Sequence, residues 1–486
     1  MRPRSLAACA AAAVCLASPG QAPAAPLGLE RCAPAEGVYA CSGLVESWDG
    51  VPLDTTVTLP SETADRPLPL VVEVHGFGNS KYEYLNPEET AYTDNAFAWA
   101  RAGYAVLTFT ARGLWGSCGT PESRLASPEG CAAGYIHLAD VRYEVRDIQE
   151  LIGRLVDDGT ADRRRIGVTG DSYGGGQSLM LAALRDRVML PDGSLVRWTS
   201  PAGTPLRIAA AAPVIPWTDL VSAAAPNGRV FSHAITPRSV ATSPVGVEKA
   251  SVVNAIFAAA QFAVGPGQPV GEPFIPGRPM GFLVAPGTDP EADVTAWVAR
   301  TSAGEPYDDA SATAIVDLLA RYHSAYYIPP SRRPPPLYLA SGLTDDLFPA
   351  DEVLRFANRD RGPRRRGSAA DRRSDRRPPA RRRPRRLIRT ARRPRPLSPR
   401  RRPPPGLAAA PGRLEVRARA PDRAPAAGRR SALLAALERQ LRDRARAARD
   451  APAGPPAPRR RRCSPSGPRD PAAGPAPGAV AARFRC

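Results

Sequence analysis

The stretch Gly170-Asp171-Ser172-Tyr173-Gly174 constrains this chain more than any other. The apolar run 165–169 precedes it, and the Leu-, Met- and Ala-rich run 178–184 follows it. This order predicts a strand, a tight turn and a helix, and a G-x-S-x-G turn of this kind holds its serine in a strained conformation above the strand end. The flanking glycines let strand and helix approach without a Cβ clash. We predict that Ser172 is a nucleophile. The alternative is a glycine-rich turn that merely contains a serine.

A serine hydroxyl needs a base, an acid that orients the base, and hydrogen-bond donors for the oxyanion. The stretch His75-Gly76-Phe77-Gly78 follows a predicted strand and fits an oxyanion loop. The backbone N–H groups of Phe77 and Tyr173 are therefore the predicted donors, and the histidine side chain of the loop is interpreted as structural. Asp345 follows a late strand in a Gly-x-x-Asp pattern, where the orienting acid is expected. A turn-forming role for this residue and a catalytic role for Asp346 are the alternatives.

Apolar runs alternate with helical periodicities along most of the chain. The resulting order of strands and helices predicts an α/β fold with a doubly wound, mostly parallel sheet. The region between the late strands is helical and rich in Pro and Gly, which predicts a helical cap inserted over the site. The predicted strands are 56–59, 68–74, 104–110, 166–169, 208–214 and 335–341, and the predicted helices are 95–102, 139–157, 252–264, 310–327 and 350–358.

Five segments follow from these patterns. We predict a signal peptide over 1–26, the first part of the core over 27–215, the cap insertion over 216–327, the last part of the core over 328–359 and a disordered basic tail over 360–486.

The first 26 residues have the three parts of a secretory signal. Arg2 and Arg4 precede a short apolar run at 6–17, and Ala22-Pro23-Ala24 offers a cleavage site. The run is too short to span a bilayer, so no transmembrane segment is predicted. Export to the extracellular space is therefore the predicted localisation. Two cysteine pairs agree with an oxidising compartment and are disulfide candidates, with free thiols as the alternative: Cys32 with Cys41, and Cys118 with Cys131.

The net charge of +19 hides two opposite parts. Residues 361–486 contain 38 Arg, no Lys and 8 acidic residues, a net charge of +30, whereas residues 1–360 carry a net charge of −11. The tail is too poor in apolar residues to offset the entropy of ordering, which predicts disorder. Its Arg content makes binding to polyanions an alternative function. Export argues against nucleic acid as the partner.

The body, over roughly 40–358, resembles the α/β-hydrolases of the cocaine-esterase and X-Pro dipeptidyl-peptidase type in their secreted actinobacterial form. The resemblance implies an exported serine hydrolase acting on ester or amide bonds, with Ser172 as nucleophile and Asp345 as acid. The stretches that carry it are HGFG (75–78), TARGLWGSCG (110–119), YEVRDIQ (143–149), GDSYGGGQS (170–178), PWTDL (216–220) and GLTDDLFP (342–349).

The chain departs from this family at the base. The histidine should follow Asp345, but the last histidine is His323, which falls in a predicted cap helix and is interpreted as structural. His137 and His233 also precede the acid. The β-sandwich domain that ends family members is missing. We predict that the tail is an out-of-frame translation of a G+C-rich gene that begins near residues 358–366.

Three functions follow. The first is an exported serine hydrolase that cleaves small peptides or esters through an acyl-enzyme. The second is a catalytically inactive or truncated product of the same fold, and the third is a polyanion-binding protein. No cofactor, metal cluster or nucleotide loop is predicted. A dipeptidyl peptidase would need an acidic group for the substrate amine, and Glu83, Asp171 and Asp219 are the candidates. Oligomeric state is not encoded in any motif.

Overall fold

The computed structural model describes residues 24–87, 95–226, 245–263, 267–269, 272–304, 307–329, 335–360 and 413–417. Residues 1–23 of the predicted signal peptide, His233 and most of the predicted tail lie outside these ranges.

The strands of the described segments are short and mostly buried. Their bounds are β1 (Arg31–Ala35), β2 (Val38–Glu46), β3 (Pro52–Leu59), β4 (Leu68–Val74), β5 (Ala105–Phe109), β6 (Ala161–Asp171), β7 (Arg187–Met189), β8 (Leu195–Arg197), β9 (Ala210–Val214), β10 (Tyr338–Gly342) and β11 (Arg413–Arg417).

Nine of these strands form one sheet in the order β1-β2-β3-β5-β4-β6-β9-β10-β11, and β7 and β8 form a separate hairpin. The central block β5-β4-β6-β9-β10 is parallel throughout. The antiparallel pairs lie toward the two edges, between β1, β2, β3 and β5 and between β10 and β11. A mostly parallel sheet in which β5 lies between β3 and β4 has the α/β-hydrolase arrangement, so the predicted fold is confirmed.

Helices connect the parallel strands and build the region predicted as the cap. Their bounds are α1 (Tyr82–Leu85), α2 (Ala96–Arg101), α3 (Pro121–Ala126), α4 (Glu144–Asp157), α5 (Ser172–Leu184), α6 (Leu220–Ala224), α7 (Ala250–Ala259), α8 (Val294–Ser302), α9 (Asp309–Ile315) and α10 (Ala350–Asp360), with short turns of 3-10 helix at Pro26–Gly28 and Ala325–Tyr327 and of π-helix at Val316–Ala320. None of the helices in the described ranges is long and apolar enough to cross a membrane.

The apolar faces account for the layers. All side chains of β5 and β9 are buried, as expected for strands covered by helices on both faces. Helix α4 buries the stripe of apolar side chains that its periodicity predicts, including Val145, Ile148 and Leu151. Residues of α6, α8 and the α9 region form a separate apolar cluster around Trp297. The bounds of the cap remain a prediction.

One predicted helix, 310–327, is wrong in its second half. The helical conformation ends at Ala320, and His323 lies in a bend rather than on a cap helix. The carbonyl of Tyr322 accepts the N–H of Val141, and the carbonyl of His323 accepts Trp217 Nε1. These groups make tertiary hydrogen bonds in place of helical ones.

The structure joins Cys32 to Cys41 and Cys118 to Cys131 as disulfides. Strand β11, at Arg413–Arg417, falls within the predicted tail and pairs antiparallel with β10. The sequence patterns do not predict this strand.

Candidate active site

Ser172 lies at the sharp junction between β6 and α5. Its φ is 51°, a left-handed conformation that costs a residue with a Cβ about 1–2 kcal/mol. The packing around it explains why the turn is held: a Cβ on Gly174 would lie 1.7 Å from the carbonyl oxygen of Val74, and one on Gly170 would lie 2.4 Å from the same atom. The turn is therefore pressed against the end of β4, and the Ser172 side chain stays half-exposed.

Tyr173 follows at the start of α5, where backbone N–H groups have no acceptor within the helix. Its phenol accepts the N–H of Ala139 at 2.9 Å and faces Glu144 Oε1 at 3.5 Å. Glu144 is fully buried and accepts the N–H groups of His137 and Asp140. Burial raises the pKa of Glu144 to about 8. This network fixes the residue whose N–H is a predicted oxyanion donor.

The His75–Gly78 loop follows β4 beside Ser172. The His75 ring is fully buried, with Nδ1 at 2.7 Å from Gly76 O and Nε2 accepting the N–H of Ala111 at 2.9 Å. Burial lowers the pKa of His75 to about 4, so the ring is neutral at pH 7. Both ring nitrogens are occupied, which agrees with a structural role.

Phe77, the other predicted donor residue, is close to Tyr173. Their ring centroids are 4.9 Å apart, and the Phe77 side chain is half-buried. The next residue, Gly78, has a φ of 79° and its carbonyl accepts Trp115 Nε1 at 2.9 Å. The structure thus brings Ser172, Tyr173 and Phe77 together.

Two of the three candidate acids for a substrate amine form a pair behind this loop. Glu83 Oε2 accepts the N–H of Gly76 at 2.7 Å, and Asp171 Oδ1 accepts the Tyr84 hydroxyl at 2.8 Å. Burial and the charge of Asp171 raise the pKa of Glu83 well above its ordinary value.

The third candidate, Asp219, is a helix cap. Its Oδ1 accepts the N–H of Ser222 at 3.0 Å at the start of α6, and the Tyr327 hydroxyl lies 3.4 Å from its Oδ2. This is the loop-capping alternative left open by the sequence.

Asp345 lies in the turn after β10. Its Oδ1 accepts the N–H groups of Leu347 and Phe348 at 2.9 and 2.8 Å, so the side chain closes its own turn. Asp346 is exposed, and its carbonyl accepts Lys249 Nζ at 2.6 Å. Because β6, β9 and β10 are parallel neighbours, the turns of Ser172 and Asp345 lie on the same edge of the sheet.

A row of aromatic rings connects the two turns. Trp217 follows β9, and its ring centroid lies 6.3 Å from that of Tyr173 and 5.1 Å from that of Phe348. The row positions the Asp345 turn relative to Ser172. It depends on tertiary packing, although PWTDL (216–220) marks one of its members in the sequence.

The described histidines have other partners. His323 is fully buried, with Nδ1 2.9 Å from Leu138 O, and its Nε2 lies 3.8 Å from Asp140 Oδ2. His137 stacks between Tyr135 and Tyr143. Among the residues that the structure describes, no histidine hydrogen-bonds to Ser172 or Asp345.

Sequence reasoning missed a buried ion-pair network next to the site. Arg112 pairs with Asp147, and both side chains are fully buried. Its guanidinium also donates to both carboxylate oxygens of Asp49 at 2.7 and 3.0 Å. The signal that could have found it is the acidic Asp147 inside the apolar face of α4. In the described ranges, no group of three His, Cys, Asp or Glu side chains is arranged to hold a metal ion.

Comparison with known proteins agrees with the motif-based resemblance. Residues 49–200 match the model of the X-Pro dipeptidyl-peptidase (S15 family), which confirms the resemblance over that segment. The segment contains Phe77, Ser172 and Tyr173 but ends before Asp345. A search of curated proteins found no match to this chain.

Solved structures with some similarity of backbone to this chain include two acetyl xylan esterases. The esterase from Paenibacillus sp. R4 is 18% identical, with 69% of this chain and 78% of that chain covered and a TM-score of 0.37. Acetyl xylan esterase 1 from Thermoanaerobacterium sp. JW/SL YS485 is 13% identical, with coverages of 67% and 75% and a TM-score of 0.36. Prolyl oligopeptidase B from Galerina marginata is 12% identical, and this chain covers 31% of its length with a TM-score of 0.33. The fold assignment rests on the strand order of the sheet.

Proposed function

We propose that this chain is an exported serine hydrolase that cleaves peptide or ester bonds through an acyl-enzyme on Ser172. The observation that carries the proposal is the φ of 51° at Ser172, held by the close contact of Gly174 with β4. Strain of this kind at a G-x-S-x-G turn presents the hydroxyl to a substrate. The match of residues 49–200 to X-Pro dipeptidyl-peptidases supports the same chemistry, and the two disulfides support export.

In the proposed reaction, Ser172 Oγ bonds to the carbonyl carbon and its proton passes to a base. Negative charge develops on the carbonyl oxygen, where the N–H groups of Phe77 and Tyr173 stabilise it. The amine or alcohol then leaves with a proton, and water releases the acid from Ser172. Asp345 is the proposed acid that orients the base.

The first test is labelling of the full chain with a fluorophosphonate, followed by mass spectrometry of the labelled peptide. Labelling is expected at Ser172, and Ser172→Ala should abolish it. Ser178→Ala is the matched control, because Ser178 lies on the same helix and its buried hydroxyl has no hydrogen-bond partner in the described residues. If the unmodified chain takes no label at Ser172 even when imidazole is supplied as the base, the proposed nucleophile is wrong.

The second candidate function is a catalytically inactive or truncated product of the same fold. It is favoured by the histidines: the described ones are engaged elsewhere, and none occurs after Asp345. Translation of the other two reading frames downstream of residue 358 tests this directly. A strand followed by a histidine loop in one of these frames would mean that a shift of reading frame removed the catalytic histidine from this sequence.

Exogenous imidazole provides a biochemical test of the same point. If only the catalytic base is missing, added imidazole should raise the labelling rate of Ser172, and the increase should grow with pH as more of the imidazole is neutral. A chain that is slow for any other reason should not respond to imidazole.

A further inference from the structure

The peptide group between Gly76 and Phe77 is held on its carbonyl side. The Gly76 carbonyl oxygen accepts the N–H of Asn79 at 3.1 Å and lies 2.7 Å from His75 Nδ1, which carries the ring proton because Nε2 accepts the N–H of Ala111. In a trans peptide the C=O and N–H of one plane point in opposite directions. The Phe77 N–H, a predicted oxyanion donor, therefore points away from these two groups.

The preceding peptide group is held by Glu83. The Gly76 N–H donates to Glu83 Oε2 at 2.7 Å, and Glu83 lies in the short helix α1 that follows the loop. Two consecutive peptide planes of the loop are thus fixed, one by the Glu83 carboxyl group and the next by His75 and Asn79. A rotation of either plane would move the Phe77 N–H.

Asp171 joins this arrangement from the nucleophile side. It directly precedes Ser172, it is buried, and its Oδ1 accepts the Tyr84 hydroxyl at 2.8 Å. Asp171 Oδ2 and Glu83 Oε1 lie 3.4 and 3.7 Å from the point that a Cβ on Gly76 would occupy. The two acidic side chains also hydrogen-bond to each other. Glu83 therefore connects the oxyanion loop to the residue next to the nucleophile.

A hydrogen bond between two carboxyl groups needs a proton, because a carboxylate oxygen can only accept. Burial and the neighbouring acid both favour retention of that proton, and they raise the pKa of Glu83. Two other titratable groups act on the pair, the Tyr84 phenol of α1 and the Glu73 carboxyl group of β4, and neither adds a positive charge. Loss of the proton would leave two carboxylates that repel each other beside Gly76.

We propose that Glu83 is a positioning residue for the oxyanion loop: it shares one proton with Asp171, holds the Gly76 peptide and thereby orients the Phe77 N–H. The proposal rests on Ser172 as the nucleophile and deepens that function. It gives Glu83 a role other than binding a substrate amine, since Glu83 Oε2 is engaged by the loop itself.

Hydrogen exchange of the full chain tests the positioning. Glu83→Ala removes the acceptor of the Gly76 N–H and should speed exchange of the peptide that contains residues 75–78 by about ten-fold. Glu83→Gln keeps an oxygen for Gly76 and an N–H₂ group for Asp171, so its exchange should stay within about two-fold of the unmodified chain. The peptide that contains residues 178–184 should be unchanged in both variants, which separates a local effect from unfolding.

Infrared spectroscopy of the full chain tests the shared proton. At about pH 6 an unperturbed carboxyl group is ionised, so a protonated one gives a separate C=O stretching band. The spectrum of the unmodified chain minus that of Glu83→Gln should contain this band. A glutamate that is ionised and merely structural would leave no such band in the difference.

Glu129→Gln is the matched control, because it makes the same substitution at an exposed glutamate after α3. It should change neither the exchange nor the infrared band. Fluorophosphonate labelling of Ser172 in the presence of imidazole then connects the loop to the reaction. Glu83→Ala should slow labelling by about ten-fold or more, and Glu83→Gln should restore it to within about three-fold of the unmodified chain.

Unchanged exchange in Glu83→Ala overturns the proposal, and so does an infrared difference without the acid band. Exchange in Glu83→Gln that is as fast as in Glu83→Ala also overturns it, as does faster exchange with an unchanged labelling rate. If Glu83→Ala does not fold, the infrared band and Glu83→Gln still decide. Failure of the nucleophile gives a different pattern: no variant is labelled at Ser172, while the exchange and infrared results persist.

Discussion

The turn that carries Ser172 and the turn that carries Asp345 lie on the same edge of the sheet but are built differently. Main-chain contact sets the first, because Gly174 leaves only 1.7 Å between an added Cβ and Val74 O. A side chain closes the second, because Asp345 Oδ1 accepts two backbone N–H groups of its own turn. A Cβ added to Gly342, just before that turn, would find its nearest neighbour at 3.7 Å.

The difference matters for what each turn can do. Ser172 has its conformation imposed before any substrate or base arrives. Asp345 has a geometry that many surface turns share, and a catalytic role requires a histidine that the described residues do not supply. The conformation of the Ser172 turn is therefore set by residues within and beside it, whereas a catalytic role for the Asp345 turn depends on a histidine partner.

The largest effect is expected from a glycine substitution in the Ser172 turn. Gly174→Ala places a methyl group within the main chain of β4 and should reduce the free energy of unfolding by about 4 kcal/mol or more, or prevent folding. Gly342→Ala is the matched control and should change it by less than about 1 kcal/mol. Urea denaturation of both variants checks this. Similar values for the two would contradict the contrast between the turns.

The same contrast explains what the sequence could predict. Strand β4 was predicted with its observed bounds, Leu68–Val74, because a buried parallel strand is a continuous apolar run between turn signals. The Ser172 turn was predicted because its glycines are required at fixed positions. Both features are determined by residues close together in the chain.

Features that depend on distant residues could not be predicted. The helix predicted over 310–327 ends early because Val141 and Trp217 bind main-chain carbonyls at Tyr322 and His323. The contact of Glu144 with the Tyr173 phenol joins residues 29 positions apart, and no local sequence pattern predicts it. The hairpin of β7 and β8 and the strand β11 were missed as well.

Two buried arginines, Arg112 and Arg355, provide a second comparison, in the cost of removing the partner of a buried carboxylate. Arg112→Met removes the partner of two carboxylates, Asp147 and Asp49, and should cost about 3–5 kcal/mol. Arg355→Met on the acid side should cost about 1.5–3 kcal/mol, because Glu352 retains the N–H groups of Thr218 and Asp219 as donors.

Chemical denaturation at pH 7 measures both arginine variants. An equal cost would mean that the main-chain donors do not compensate Glu352. The exposed pair of Arg154 with Glu150 serves as a baseline, and Arg154→Met should cost less than about 1 kcal/mol.

Glu144 makes the nucleophile side sensitive to pH. Burial raises its pKa to about 8, so between about pH 4.5 and 8 the unfolded chain releases a proton that the folded chain retains. Its contribution to stability therefore falls as pH rises through this window, by at most about 2.7 kcal/mol from pH 5 to pH 7.

The measurement compares the unmodified chain with Glu144→Gln at pH 5, 6 and 7. The unfolding free energy of the unmodified chain minus that of Glu144→Gln should fall as pH rises. This difference isolates Glu144 from other groups such as His75, whose lowered pKa makes stability rise with pH. A difference that stays constant with pH would mean that Glu144 is ionised in the folded chain.

The smallest expected effect separates the two roles of Asp345. Asp345→Ala removes the acceptor of two N–H groups and should cost about 1 kcal/mol, whereas Asp345→Asn keeps an oxygen at the same place and should cost less than about 0.5 kcal/mol. If Asp345 only closes its turn, the Asp345→Asn variant should be labelled at Ser172 as fast as the unmodified chain. If Asp345 orients a base, the loss of its charge in Asp345→Asn should slow labelling by at least about ten-fold while stability stays the same. The labelling rate in the presence of imidazole is the decisive readout, because it supplies the base and leaves Asp345 as the only variable.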